Sequence, residues 1–166
     1  MLTAKSHRQL LILLLVSILL TSCTAVRLQK IETRVKEVQK DLYVPQDAVL
    51  LDQFLHAGRK KYVAPDCIVA YLEMAYGVNR PMASIIDEYY EKLTQDGWEL
   101  NPRYEPSRTS NDIFLRRGAQ LELVIYSYTD PGGAPSTKLP PEALQYATVY
   151  VVVLTYSEPS SLECSV

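Results

Sequence analysis

Met82, Ile85, Ile86, Tyr89, Tyr90 and Leu93 fall at i, i+3, i+4, i+7, i+8 and i+11, while Asp87, Glu88, Glu91, Lys92 and Gln95 take the opposite side. A stripe spaced this way runs along one side of a 3.6-residue helix and would be scrambled on a strand. The spacing predicts a helix over about 82–96 with an apolar face that must be buried on a second layer. Its ends are marked as well. Asn79 is a candidate N-cap, Pro81 suits the first turn, and Gly97 suits the left-handed position that closes a helix, with Trp98 folding back on the apolar face.

The second layer reads as strands. Cys67 to Tyr76 alternates Ile68, Ala70, Leu72, Met74 and Tyr76 with Val69, Tyr71, Glu73 and Ala75. Further strands are expected at 98–104, 112–117 and 120–129, the last two joined as a hairpin at Gly118-Ala119. Ala147 to Tyr156 (ATVYVVVLTY) is the most β-prone run in the chain and suits a central strand. The 47–62 segment is a weak strand or an irregular lead-in, the Pro- and Gly-rich stretch 130–143 a surface loop, and 157–166 a polar tail. The expected fold class is therefore α+β: an antiparallel sheet of about four to five strands with one main helix packed on one face. The run from Tyr89 to Gly97-Trp98 resembles a pattern that recurs in exported bacterial α+β domains, a helix ending in Gly-Trp that leads into a strand.

A sheet with a helix on one face has a second face to account for. Leu121, Leu123 and Ile125 alternate with Val124, Tyr126 and Tyr128, and Val149, Val151 and Val153 alternate with Tyr150, Val152, Leu154 and Tyr156. With 12 Tyr against 2 Phe, the chain favours aromatics whose ring tip tolerates water. Tyr126, Tyr128, Tyr150 and Tyr156 are thus candidates for a partner-binding face. The alternative is that this face is covered by the segment before the domain or by 47–62.

The front of the chain has a different character. Met1 to Gln9 is short and carries Lys5 and Arg8, Leu10 to Leu20 is apolar but for Ser17, and Thr21-Ser22-Cys23 is small and polar. Those are the three regions of an export signal. The apolar run falls short of the roughly 20 residues a spanning helix needs. Leu20-Thr21-Ser22-Cys23 resembles the lipobox of bacterial lipoproteins, in which the Cys thiol is lipidated and the chain is cut before it. That resemblance implies a signal peptide over 1–22 and a diacylglycerol and palmitate anchor on Cys23. It also implies a body at the cell membrane or outer membrane that faces away from the cytoplasm, periplasmic or extracellular. Thr24, in place of Asp, permits transport to an outer membrane.

Cleavage leaves about 144 of the 166 residues, enough for one domain with a real core. Over 26–42, Leu28, Ile31, Val35, Val38 and Leu42 recur at alternating spacings of three and four. The expected division is a lipidated Cys and amphipathic tether over 23–42 and a single domain over 43–166. For the tether helix, packing on its own domain competes with a stalk, self-association or lying on lipid.

Little chemistry is visible beyond the anchor. The 19 acids against 17 bases, two of them in the leader, argue against nucleic acid. His56 is the only histidine after the leader, too few for a zinc site or a Ser-His or Cys-His pair. No nucleophile-elbow, metalloprotease, phosphate-loop or dinucleotide motif occurs. Cys67 and Cys164 permit a disulfide tying the tail to the first core strand, against the alternative of two free thiols. The expectation is a non-catalytic binding or scaffolding module of the envelope, without cofactor or metal, held by its lipid and engaging an envelope protein. Two alternatives stand beside it. One is a small-ligand pocket between helix and sheet under Tyr89, Tyr90 and Trp98. The other is a hydrolase built on two carboxylates.

Overall fold

A computed structural model of the chain describes residues 26–59, 68–104, 108–109, 111–128 and 139–157. The fold is α+β. Among the described residues, two α-helices, α1 over 26–41 and α2 over Met82–Gln95, lie with an open antiparallel sheet of six strands. The strands are β1 Val49–Arg59, β2 Ile68–Val78, β3 Glu99–Leu100, β4 Asp112–Arg117, β5 Leu121–Ser127 and β6 Thr148–Ser157. Their order across the sheet is β1-β2-β6-β5-β4-β3, so the valine-rich β6 is central, paired with β2 on one side and β5 on the other.

The helix α2 forms where its periodicity places it. Met82, Ile85, Ile86, Tyr89 and Leu93 are buried. Its C-terminus closes as a Schellman motif: Gly97 takes φ 82°, its N–H donates to the Thr94 carbonyl at 3.2 Å, and the Trp98 N–H reaches the Leu93 carbonyl at 3.0 Å. Trp98 is then folded into the core. The N-terminus differs from expectation. Pro81 is the N-cap, without a side-chain cap bond, and Asn79 Oδ1 accepts instead from the Ala147 N–H at 3.1 Å. Asn79 thereby ties the β2–α2 turn to the segment that leads into β6.

Both helices pack on the same face of the sheet. Ile31, Val35 and Leu42 of α1 and its end join the core cluster with Leu72, Met74, Leu123, Ile125, Val152 and Leu154. Leu28 and Val38 pack against it from the side. The apolar stripe expected of a tether is therefore spent on the domain, and residues 26–42 belong to the packed body. Each such side chain contributes about 1.5–3 kcal/mol when fully buried.

The sheet has six strands rather than four to five because the segment over 47–62 supplies a full strand. β1 pairs with β2 from Val49↔Gly77 to Arg59↔Ile68, with a bulge between Leu50 and Asp52. The bulge shifts the alternation by one, which puts Gln53 on the helix side and Phe54 on the other. At the opposite edge, the strand expected over 98–104 shrinks to Glu99–Leu100. There Asn101 Oδ1 accepts from the Arg103 N–H at 3.1 Å, and the Asn101-Pro102 turn ends the pairing.

Candidate functional site

Register decides which residues share a face, because directly paired residues in an antiparallel ladder point the same way. Tyr126 pairs with Val151 and Ser127 with Tyr150, so Tyr126 and Tyr150 lie on opposite faces. Tyr150 is fully buried on the helix side, and Tyr156, paired with Leu121, packs half-buried against the same core. The four tyrosines expected to share one surface do not: only Tyr126 and Tyr128 are on the face away from the helices.

Tyr150 belongs to an aromatic stack that joins the helices to the sheet. Its ring lies 5.5 Å from Tyr76 and 6.0 Å from Tyr89, which meets Tyr43 edge-on at 5.7 Å. The Tyr89 and Tyr150 hydroxyls are 3.3 Å apart. Tyr43 donates to Glu88, and Arg80 pairs with that same carboxylate and, through Nε at 3.0 Å, with Asp47. Burial, reinforced by the bond to Glu88, pushes the Tyr43 phenol up to about 12. Burial likewise raises Tyr76, Tyr89 and Tyr150.

The open face is an aliphatic band with aromatic corners. The paired row Phe54–Glu73–Val153–Val124–Phe114 crosses five strands, flanked by Asp52–Ala75–Val151–Tyr126–Asp112 and His56–Tyr71–Thr155–Glu122–Arg116. Its centre is tight: Ala75 and Val151 are fully buried and Glu73 is 9% exposed. Burial raises the Tyr126 phenol, and the nearby Glu73 and Tyr128 add to the effect. One end of this face is covered by 139–147, of which the part up to Ala143 is expected from the sequence to be surface loop. There Ala143 of the 3-10 turn Pro141–Gln145 is buried, and a Cβ on Gly77 would stand 2.3 Å from the Tyr146 ring. Neither α1 nor β1 covers the face, since one lies on the other side and the other is in the sheet.

Aromatic rings gather at two of its corners. Tyr104 stacks on Phe114 at 4.4 Å and 15°. At the β1–β2 edge, His56 lies 5.2 Å from Tyr71 and 6.4 Å from Phe54, nearly parallel to the latter, and Phe54 is 39% exposed. This Phe54-His56-Tyr71 cluster is the candidate site. Its signal in the sequence was the alternation Asp52, Phe54, His56, legible only after the bulge is placed.

A second concavity lies on the helix side. A groove of about 850 Å³ runs between α1, the end of α2 and the β4–β5 hairpin, bordered by Arg34, Glu37, Asp96, Arg117, Trp98 and Tyr156 among others. Trp98 thus reaches this groove, while Tyr89 and Tyr90 do not line it. The acids Asp47 and Glu88 converge on Arg80, which pairs with both.

Cys23, Cys67 and Cys164 lie outside the described residues. Among the described residues no helix is long and apolar enough to cross a membrane, and no cluster of His, Cys, Asp and Glu has the makings of a metal site. No protein-family model, curated protein or solved structure matches the chain.

Proposed function

We propose that this chain is a lipid-anchored, non-catalytic module of the bacterial envelope that engages a partner protein through the open face of its sheet. The anchor carries the reading. A basic start, an apolar run from Leu10 to Leu20 and Leu-Thr-Ser-Cys ending at Cys23 occur in the order that export and lipidation require. Two or more acyl chains on Cys23, at about 0.8 kcal/mol per buried CH₂, would hold the body at a bilayer without a spanning helix. The partner half of the reading is supported by Phe54, His56 and Tyr71. Aromatics that keep an exposed edge beside an aliphatic band are the composition of binding surfaces. The test is metabolic labelling with a fatty acid in wild type and Cys23→Ala. Label is expected in the wild type only, and equal label in both would refute the anchor. A small-ligand site in the groove beside Trp98 is the second reading, and ligand-dependent change in Trp98 fluorescence is its signature.

A further inference from the structure

The two edges of the sheet are unlike. β3 is two residues long, whereas β1 runs for 11 residues and, among the described residues, pairs only with β2. Long edges present unpaired N–H and C=O groups, and proteins blunt them with Lys, Pro or brevity. β1 reads VLLDQFLHAGR, with neither Lys nor Pro. Its bulge sits near the start, so residues from Asp52 onward keep a regular register. Val49, Leu50 and Phe54 are exposed along it. The Gln53 N–H, on the exposed side, is bonded by Asp52 Oδ1 at 2.9 Å, a local contact that an incoming strand would replace. Backbone groups alternate in direction along an antiparallel strand, so Gln53, Leu55 and Ala57 aim theirs off the edge.

We propose that β1 pairs antiparallel with β1 of a second copy of this chain, about a two-fold axis at Phe54. This goes beyond the anchoring reading and does not require it, although confinement at a membrane would raise the local concentration. The register follows from the side chains on the open face, where Asp52, Phe54 and His56 stand in a row. An axis at Phe54 sets Phe54 against the partner's Phe54, Asp52 against the partner's His56, and His56 against the partner's Asp52. These are non-hydrogen-bonded pairs, whose Cα atoms approach to about 4.5 Å and whose side chains meet most closely. An imidazole N–H donates to a carboxylate in either protonation state. An axis at Asp52 would oppose two carboxylates, which is unfavourable. An axis at His56 would set Phe54 against Gly58, and one at Leu55 would set Asp52 against Gly58. Only the Phe54 register matches an aromatic with an aromatic and each acid with an imidazole. The two sheets then become continuous and the two Phe54-His56-Tyr71 clusters merge.

The test is disulfide trapping of the full chain in intact expressing cells, with the native cysteines kept and a mild oxidant added. Phe54→Cys is expected to give at least tenfold more covalent dimer than Lys92→Cys on the exposed side of α2. Differently tagged Asp52→Cys and His56→Cys chains, expressed together, are expected to cross-link to each other, and neither alone above wild type. All these side chains lie on the surface or at the edge, so the fold is preserved. Dimer from Phe54→Cys no greater than from Lys92→Cys would overturn the proposal. Equal trapping of Asp52→Cys, Phe54→Cys and His56→Cys each alone, the signature of random collision, would overturn it too. Fatty-acid labelling of the same samples reports the anchor separately.

Discussion

Replacing Tyr150 by Ser separates a residue that binds from one that holds the fold. Tyr150 has no exposed surface and touches Tyr76 and Tyr89, with its hydroxyl 3.3 Å from that of Tyr89. Truncating a buried aromatic costs about 3–5 kcal/mol in lost transfer and cavity energy. Leaving the Tyr89 hydroxyl without its partner adds about 1 kcal/mol more. Since a domain of this size is stable by only about 5–15 kcal/mol, Tyr150→Ser should lose a quarter of its stability or more. Tyr150→Phe keeps the ring and loses only the hydroxyl contact, at about 1 kcal/mol. Tyr126→Ser, at a half-buried site on the other face, should also cost about 1 kcal/mol. Urea unfolding reads all three through Trp98, the single tryptophan, which is 3% exposed. A Tyr150→Ser midpoint no lower than that of Tyr126→Ser would refute the face assignment drawn from the register.

Three further outcomes are expected. Val35→Ala in α1 should destabilise by about 2 kcal/mol because Val35 is fully buried, whereas Val26→Ala should change nothing; an equal absence of effect would return α1 to the role of a free tether. Gly97→Ala should cost about 1 kcal/mol through its left-handed φ alone, since a Cβ there meets nothing within 4 Å; urea unfolding with no shift would contradict that conformation. Alkali should destabilise the chain. The Tyr43 phenol, raised from 10.0 to about 12, keeps its proton in the folded state where the unfolded chain has lost it. Its stabilising share is complete below pH 10 and is lost as pH rises toward 12. Tyr76, Tyr89, Tyr126 and Tyr150 act in the same sense. Urea midpoints that stay level from pH 9 to about 12 would contradict this linkage.

What could be read from residue order follows from how local each signal is. The stripe of α2 and its Gly97-Trp98 closure depend on neighbours within one turn or two, and both form as the spacing implies. β6 is central because a run apolar on both faces has no other place. β1 was obscured by its own bulge, which lets Asp52 and Gln53 fall on successive faces out of step with Val49 and Leu50. The tyrosines were misgrouped for a longer-range reason. Alternation within β5 and within β6 is plain, but which row of one meets which row of the other depends on a register set across the intervening chain. That register joins Tyr126 to Val151, and a slip of one residue would have joined it to Tyr150.

The burial of α1 also bears on reach. Val26 is already helical, and Ile31 five residues later is in the core. A lipid on Cys23 would therefore be joined to the rigid body by only three peptide steps, which span at most about 11 Å when fully extended. Such a protein cannot sweep the space above the bilayer in search of a target. It would sit against the lipid headgroups with little freedom to tumble, and whatever it engages must come to the membrane surface to be met.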